Sequence, residues 1–295
     1  MTIYDHVLTE SEFVRQNDLR YPFEERGLQF GDGIYEVIRV YGGSYYLIKE
    51  HVERFYRSAE AVKIDVPYTK KELYEQLDEL LELNKVKGDA KVYLQMTRGS
   101  APRDHAFPSE TKANLYAYVK DLPRSKDAML DGVTAITHPD VRWDWCYIKS
   151  LNLLPNVMAK QAAKEEGCYE AVLHKDGEVT ECSSSNVYLV RGGKVYTHPA
   201  KKNILHGCVR MRIEEFCKDE NIDFIEEAFR IEDFQDADEV FLTSSTSEVM
   251  PVLKVDQQVI GNGRPGQLTR TLQKCYERDA GITKKESIFA EDLSA

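Results

Sequence analysis

The chain has 295 residues, 42% of them hydrophobic and 30% charged, a length and balance suited to two folded domains. Its 39 Lys and Arg against 50 Asp and Glu give a formal net charge of -11. That excludes a general affinity for nucleic acid or an anionic membrane, though not a local cationic pocket for a small anion.

The first residues carry no charged segment followed by an apolar run, and no apolar stretch is long enough to cross a bilayer. The six cysteines all lie in the second half and form no Cys-x-x-Cys pair, so neither a disulfide framework nor a zinc site is expected. Reduced thiols and a cytoplasmic location are the expectation. Up to about Leu19 no element is legible. Gly31-Asp32-Gly33 then reads as a tight turn. Residues 34–41 read as a half-buried strand of alternating apolar and polar residues, with residues 44–48 returning as a hairpin partner. Tyr35 falls on the polar face, where it either packs or serves a site. Residues 51–64 read as a helix with Val52, Phe55, Ala59 and Val62 on one face. His51 and Arg54 share a neighbouring face, either as a solvated pair or as a phosphate clamp. Thr69 and Glu72 form a capping box for the next helix, whose apolar face is Leu73, Leu77, Leu80 and Leu81.

Residues 90–98 and 114–120 alternate as strands. The loop between them carries Arg103 and His105, two potential cations two residues apart. The polar stretch 121–131 reads as a linker, dividing an N-terminal α+β domain (1–120) from a C-terminal α/β domain (132–282) and a polar tail (283–295). In the second domain a strand begins at 133–136 and a helix spans 152–166. A hairpin at 169–180 turns at Asp176-Gly177. Strands follow at 187–190, 194–197, 222–226 and 239–242, with helices at 207–220 and 267–278. The start of the first of those helices offers N–H groups and a positive dipole end to an anion, as any helix start does. Thr243-Ser244-Ser245-Thr246-Ser247 adds hydroxyls, read either as turn chemistry or as an anion loop.

Lys149 lies in Cys146-Tyr147-Ile148-Lys149-Ser150-Leu151-Asn152, between an apolar approach and an apolar exit. A lysine held in such a setting loses solvation, and its amine becomes a usable nucleophile. The alternative is a lysine snorkelling from a strand end.

Five segments occur together and in order: Phe30-Gly31-Asp32-Gly33, His51-x-x-Arg54, Ile148-Lys149-Ser150-Leu151-Asn152, Thr180-Glu181-Cys182-Ser183-Ser184-Ser185-Asn186 and Leu242-Thr243-Ser244-Ser245-Thr246-Ser247-Glu248. With them the chain resembles the fold-type IV pyridoxal-phosphate enzymes, over about residues 4–279. Pro102-Arg103-Asp104-His105-Ala106-Phe107-Pro108 is most similar to the D-amino-acid aminotransferase branch. The resemblance implies two α/β domains with the cofactor, pyridoxal 5'-phosphate, at the domain interface, and a homodimer. It implies that Lys149 carries the cofactor covalently and that Glu181 faces its pyridine nitrogen. Arg54, the backbone at Cys208 and Val209, and Ser244 and Ser245 would hold the phosphate. Leu205 would pack on the ring. Tyr35, with Arg103 and His105 from the partner subunit, would trap the substrate carboxylate. The implied activity is transamination between a D-amino acid such as D-alanine and a 2-oxo acid such as 2-oxoglutarate. An L-branched-chain aminotransferase, an aminodeoxychorismate lyase and a non-catalytic cofactor-binding protein are the rival expectations. Val209 stands where related chains often carry a hydroxyl, and Pro155 is shared with the branched-chain members.

Overall fold

The computed structural model describes residues 2–290, whose contacts divide into two compact units. Among the described residues, the first comprises those up to Arg124 together with Ile148–Asn152, and the second comprises Ser125–Tyr147 and those from Leu153 on.

The first unit contains β1 (Ile3–Thr9), β2 (Phe13–Arg15), α1 (Arg26–Phe30), β3 (Gly33–Tyr41), β4 (Ser44–Tyr46), α2 (Ile48–Ala61), α3 (Lys70–Leu83), β5 (Ala90–Thr97) and β6 (Asn114–Asp121). Its strands form one antiparallel sheet in the order β2-β1-β6-β5-β3-β4. Period-two alternation turns Val92, Leu94 and Met96 of β5 and Leu115, Ala117 and Val119 of β6 to one buried face. Helix α2 packs on β3, and α3 packs on β1 and β6. The capping box closes the start of α3: the Thr69 hydroxyl accepts from Glu72 N at 3.3 Å, and the Glu72 carboxylate accepts from Thr69 N at 2.7 Å. Leu73, Leu77, Leu80 and Leu81 are its buried residues.

Strand β3 departs from simple alternation. Its buried face is Ile34, Glu36, Ile38 and Val40, so a carboxylate stands among aliphatic side chains. Helix α2 begins and ends three residues earlier than the periodicity predicts, because Leu47, at φ 56°, starts it from a left-handed turn. Its His51 and Arg54 are buried, not solvated, since Glu36 lies beneath them. Before β3 the chain forms the short helix α1, ended by Gly31 at φ 66°. A side chain at that angle is strained, and a Cβ there would meet Asn152 Oδ1 at 2.7 Å.

The second unit contains α4 (Lys126–Asp131), β7 (Val133–Pro139), α5 (Leu154–Glu165), β8 (Glu170–Lys175), β9 (Glu178–Cys182), β10 (Asn186–Arg191), β11 (Lys194–Thr197), α6 (Cys208–Asp219), β12 (Phe224–Glu226), β13 (Glu239–Ser244), β14 (Glu248–Val255), β15 (Gln258–Val259) and α7 (Gln267–Asp279). Among the described residues its strands run β12-β11-β10-β13-β14-β7-β8-β9, with β15 on β14. The pairs β11–β12, β14–β7 and β7–β8 are parallel and the others antiparallel. The core gathers Val172, Val187, Leu189, Leu242, Met250 and Val252 from the strands with Met129, Phe229, Phe234, Ile288 and Phe289. Ala159 and Ala163 of α5 lie against Ala171 and Leu173 of β8 in a smaller cluster.

Two stretches differ from their sequence reading for the same reason: each hides apolar side chains among polar ones. Residues 121–131, read as a linker, hold the end of β6 and helix α4, whose Met129 is 1% exposed. The tail from 283 is read as polar, yet Ile288 and Phe289 join the core and Ile288 N donates to the Glu277 carboxylate at 2.9 Å. Residues 291–295 lie outside the described residues. Strands β1 and β14 lack a legible pattern, β14 because both its faces are buried at its start.

Candidate active site

Lys149 reaches the first unit as part of a five-residue segment, Ile148–Asn152, whose flanking chain belongs to the second. The segment lies along the start of β3. Tyr35 N donates to Lys149 O at 3.0 Å, Leu151 N donates to Gly33 O at 3.0 Å, and Ser150 bridges to Ile34. Lys149 N donates to Ser58 Oγ of α2 at 3.2 Å. The backbone is thus held on both sides, which leaves the side chain as the moving part. Its Nζ donates to the Tyr35 hydroxyl at 3.3 Å and sits 4.4 Å from that ring's centroid. Tyr35 in turn stacks on Tyr93 at 5.8 Å and 26°, which fixes its plane. The Lys149 amine and the Tyr35 phenol hydroxyl thus stand side by side, the tyrosine on β3.

One residue further along, Glu36 is fully buried. Arg54 grips it in two-pronged fashion, Nε to Oε1 at 2.7 Å and Nη2 to Oε2 at 2.8 Å. His51 Nδ1 lies 2.7 Å from Oε2. Burial works against ionisation of Glu36, but Arg54 and His51 outweigh it and hold the carboxyl well below the usual carboxylate range. The structure therefore places Arg54 on a carboxylate. Glu36 is hard to read from the sequence because its signal, an acidic residue in phase with Ile34, Ile38 and Val40, resembles a minor break in alternation.

Arg103 and His105 are exposed on the loop between β5 and β6 and share one support. The Arg103 guanidinium lies 4.9 Å from the Phe30 ring centroid, and the His105 ring lies 5.4 Å from it. Arg26 anchors the loop by donating to Asp104 O at 2.7 Å, while Arg98 covers Phe107 at 3.6 Å. Asp32 ties this base together, accepting from Arg26 Nε and Arg98 Nε, each at 2.8 Å. Tyr35 pairs with Lys149, whereas Arg103 and His105 pair with Phe30, so the described contacts of the chain leave the three expected carboxylate ligands in two groups.

In the second unit Glu181 is 4% exposed, at the end of β9. The ladder between β8 and β9 shifts register around it, between the pairs Val172–Cys182 and His174–Val179. Such an irregularity re-aims a side chain. Leu205 N donates to both Glu181 oxygens at 3.1 and 3.2 Å, Asn186 Nδ2 donates to Oε2 at 3.1 Å, and Arg142 Nη1 donates to Oε1. Asp140 accepts from Arg142 at 2.9 and 2.8 Å and from the Thr180 hydroxyl at 2.7 Å. Burial pushes the Glu181 carboxyl above the usual carboxylate range, against the pull of Arg142 and the Leu205 N–H. Arg142 was invisible as a partner because it lies 39 positions from Glu181. Leu205 contributes its backbone to the carboxylate as well as a side chain.

Cys208 and Val209 open α6 behind Gly207, which provides no side-chain cap. The N–H groups of a first helical turn have no partner within the helix. Ser244 closes the turn between β13 and β14: its hydroxyl accepts from Thr246 N at 3.3 Å and Ser247 N at 3.0 Å. Ser245 follows it in that turn, part-exposed. Both loops border one sheet, since Asn186 pairs with Thr243 and its Nδ2 also donates to Leu205 O at 2.9 Å.

A sequence model of the family described as amino-transferase class IV matches residues 33–255. A D-alanine aminotransferase of Staphylococcus haemolyticus is 44% identical over 273 residues, covering 92% of this chain and 96% of that protein. One from Bacillus licheniformis is 43% identical over 271 residues, covering 92% and 95%. Among solved structures, the branched-chain amino acid aminotransferase of Escherichia coli superposes with a TM-score of 0.87 at 22% identity, covering 96% of each chain. That of Thermobaculum terrenum, in its PLP form, superposes at 0.84 and 19% identity over 97% of each. The structural likenesses establish the fold. The matched family model and the relatives in Staphylococcus and Bacillus establish the family: the chain belongs to the class IV aminotransferases.

Proposed function

We propose that the chain moves the amino group of a D-amino acid such as D-alanine to a 2-oxo acid such as 2-oxoglutarate. The observation that carries the reading is the pairing of Lys149 Nζ with the Tyr35 hydroxyl at 3.3 Å, in a chain 44% identical to a D-alanine aminotransferase. Its cofactor is pyridoxal phosphate. The donor set suits that group: an amine, a buried carboxylate braced by a guanidinium, and a helix start with a hydroxyl turn on the same sheet. When bound, the cofactor supplies the electron sink for charge developing at the substrate's α-carbon.

The residues divide the remaining work. Lys149 would hold the cofactor through Nζ, and the same amine, when free, would take the substrate's α-proton and give it back. Tyr35 Oη keeps that amine oriented between the two transfers. Glu181 would face the pyridine nitrogen, and Arg142 with the Leu205 N–H keeps its carboxyl in one place. Val209 N–H, Ser244 and Ser245 would bind the phosphate, joined by Cys208 N–H and, through the outer edge of its guanidinium, Arg54. Arg103 and His105, exposed on their shared aromatic support, would take the substrate's α-carboxylate in a homodimer, each reaching the partner's site. A carboxylate held on that side turns the α-proton of the D-enantiomer toward Lys149. We place the enzyme in the cytoplasm, the compartment that its cysteine usage suits; separately, no helix among the described residues is long and apolar enough to span a membrane.

Purified protein assayed with D-alanine, D-glutamate and L-leucine against 2-oxoglutarate or pyruvate tests the reading. D-alanine should be turned over and L-leucine should not. Preference for L-leucine would overturn it.

A further inference from the structure

The carboxylate of Glu170, the first residue of β8, is not part of the machinery above, and it is 0% exposed. It collects more donors than a buried side chain needs. Ser183 Oγ donates to Oε1, Ser184 Oγ to Oε2 at 2.7 Å and Ser185 Oγ to Oε2 at 3.2 Å. Ala171 N donates to Oε1 at 2.9 Å, and Lys160 Nζ lies 3.5 Å from it as a half-exposed countercharge. A carboxylate has about four lone-pair directions, and these donors use them all.

The three serines are the whole of the turn between β9 and β10. On one side of the turn is Glu181, and on the other is Asn186, which donates to Glu181 at 3.1 Å. Cys182 N donates to Ser185 O at 2.7 Å and closes the turn; Ser183 N on Ala171 O at 2.9 Å and Asn156 Nδ2 on Ser183 O at 2.8 Å pin its near end. The Asn186 amide therefore meets Glu181 in one geometry because the turn between them has one shape, and three hydroxyls on one carboxylate set that shape. A buried ion costs desolvation that an apolar plug would avoid, so stability alone is a poor reason for it.

We propose that Glu170 is a positioning residue for Glu181, acting through the triple-serine turn and Asn186. The inference rests on the reading that Glu181 faces the ring nitrogen of the cofactor. Glutamine at this position keeps the size but offers a single accepting oxygen to three hydroxyls and lacks the charge that draws them.

The test uses the holoenzyme. Glu170→Gln, Ser184→Ala/Ser185→Ala and Glu181→Gln are compared by the visible absorption of bound cofactor across pH, by the affinity of the cofactor-free protein for pyridoxal phosphate, and by kcat and KM with D-alanine. The first two variants should shift the pH response of the absorption in the same direction as Glu181→Gln. They should lower kcat about 10-fold to 100-fold, the scale of a small misplacement near reacting groups, with KM changed less than about 3-fold. A pH response and kcat like those of the unaltered enzyme in Glu170→Gln, beside a changed Glu181→Gln, would overturn the inference and leave the ring-nitrogen reading standing. An unchanged Glu181→Gln would instead overturn that reading. Should Glu170→Gln fail to fold, the double serine variant, with Glu170 intact, decides the matter by the same readouts.

Discussion

Lys149 in isolation is one lysine among many, and its neighbours give it meaning. The Tyr35 hydroxyl at 3.3 Å and the clamped backbone station a part-buried side chain. Lys149→Ala should abolish both the visible absorption of bound cofactor and transamination; absorption retained at full height would remove the lysine from its role. Glu36 makes the complementary point about charge. Its carboxyl is held well below its ordinary value of 4.5 by Arg54 and His51 despite burial, so its contribution is present in full above that value and fades as pH falls below it. Glu36→Gln should cost about 3 kcal/mol at neutral pH, the scale of breaking a buried ion pair. The deficit relative to the unaltered protein should shrink below pH 4.5, as read from denaturant unfolding across pH. A deficit that stays constant down to pH 3 would show that packing, not the ion pair, sets it. Lys149, Glu181 and the serine cluster were legible in the sequence because they sit in contiguous motifs. Glu36, Arg142 and Asp140 were not, because their importance lies in contacts between distant positions.

At the scale of elements, local chemistry was readable wherever it was self-contained. The capping box of α3, the Asp176-Gly177 hairpin and the apolar stripe of α3 stand where their residues place them. The reading fails where an element borrows its pattern from neighbours, as in β14, β1 and α4. Gly207, just before α6, shows how closely elements meet in the second unit. A Cβ there would fall 2.2 Å from Asn186 Oδ1. Gly207→Ala should push Asn186 off Glu181 and weaken pyridoxal phosphate binding by about 10-fold, measured by cofactor titration. The loop supporting Arg103 belongs at this scale too. Arg103→Ala should lower kcat/KM for D-alanine about 10-fold to 100-fold, as the loss of a charge-assisted pair with a carboxylate. Unchanged kinetics would remove Arg103 from the substrate's path.

For the molecule as a whole, the six thiols report on packing. All are free, and five are buried. Burial pushes the Cys146 and Cys217 thiols up to about 12 and the Cys275 thiol to about 11. A group whose thiolate is scarce and covered reacts slowly. Iodoacetamide at pH 8 should therefore label part-exposed Cys168 first in the native protein and the other five only on unfolding, as read by peptide mass mapping. Early labelling of Cys146 would contradict the packing around Arg142.

The segment Ile148–Asn152 carries one more consequence. By sequence it is an excursion from the second unit, and by hydrogen bonding it completes the edge of β3 in the first. A fragment ending at Arg124 would own the tyrosine and lack the amine beside it. The two units therefore cannot be exchanged among relatives as modules joined at a single crossover. A chimera cut at residue 124 inherits its lysine from one parent and the strand that seats it from the other. Its success would depend on how well those few backbone bonds match.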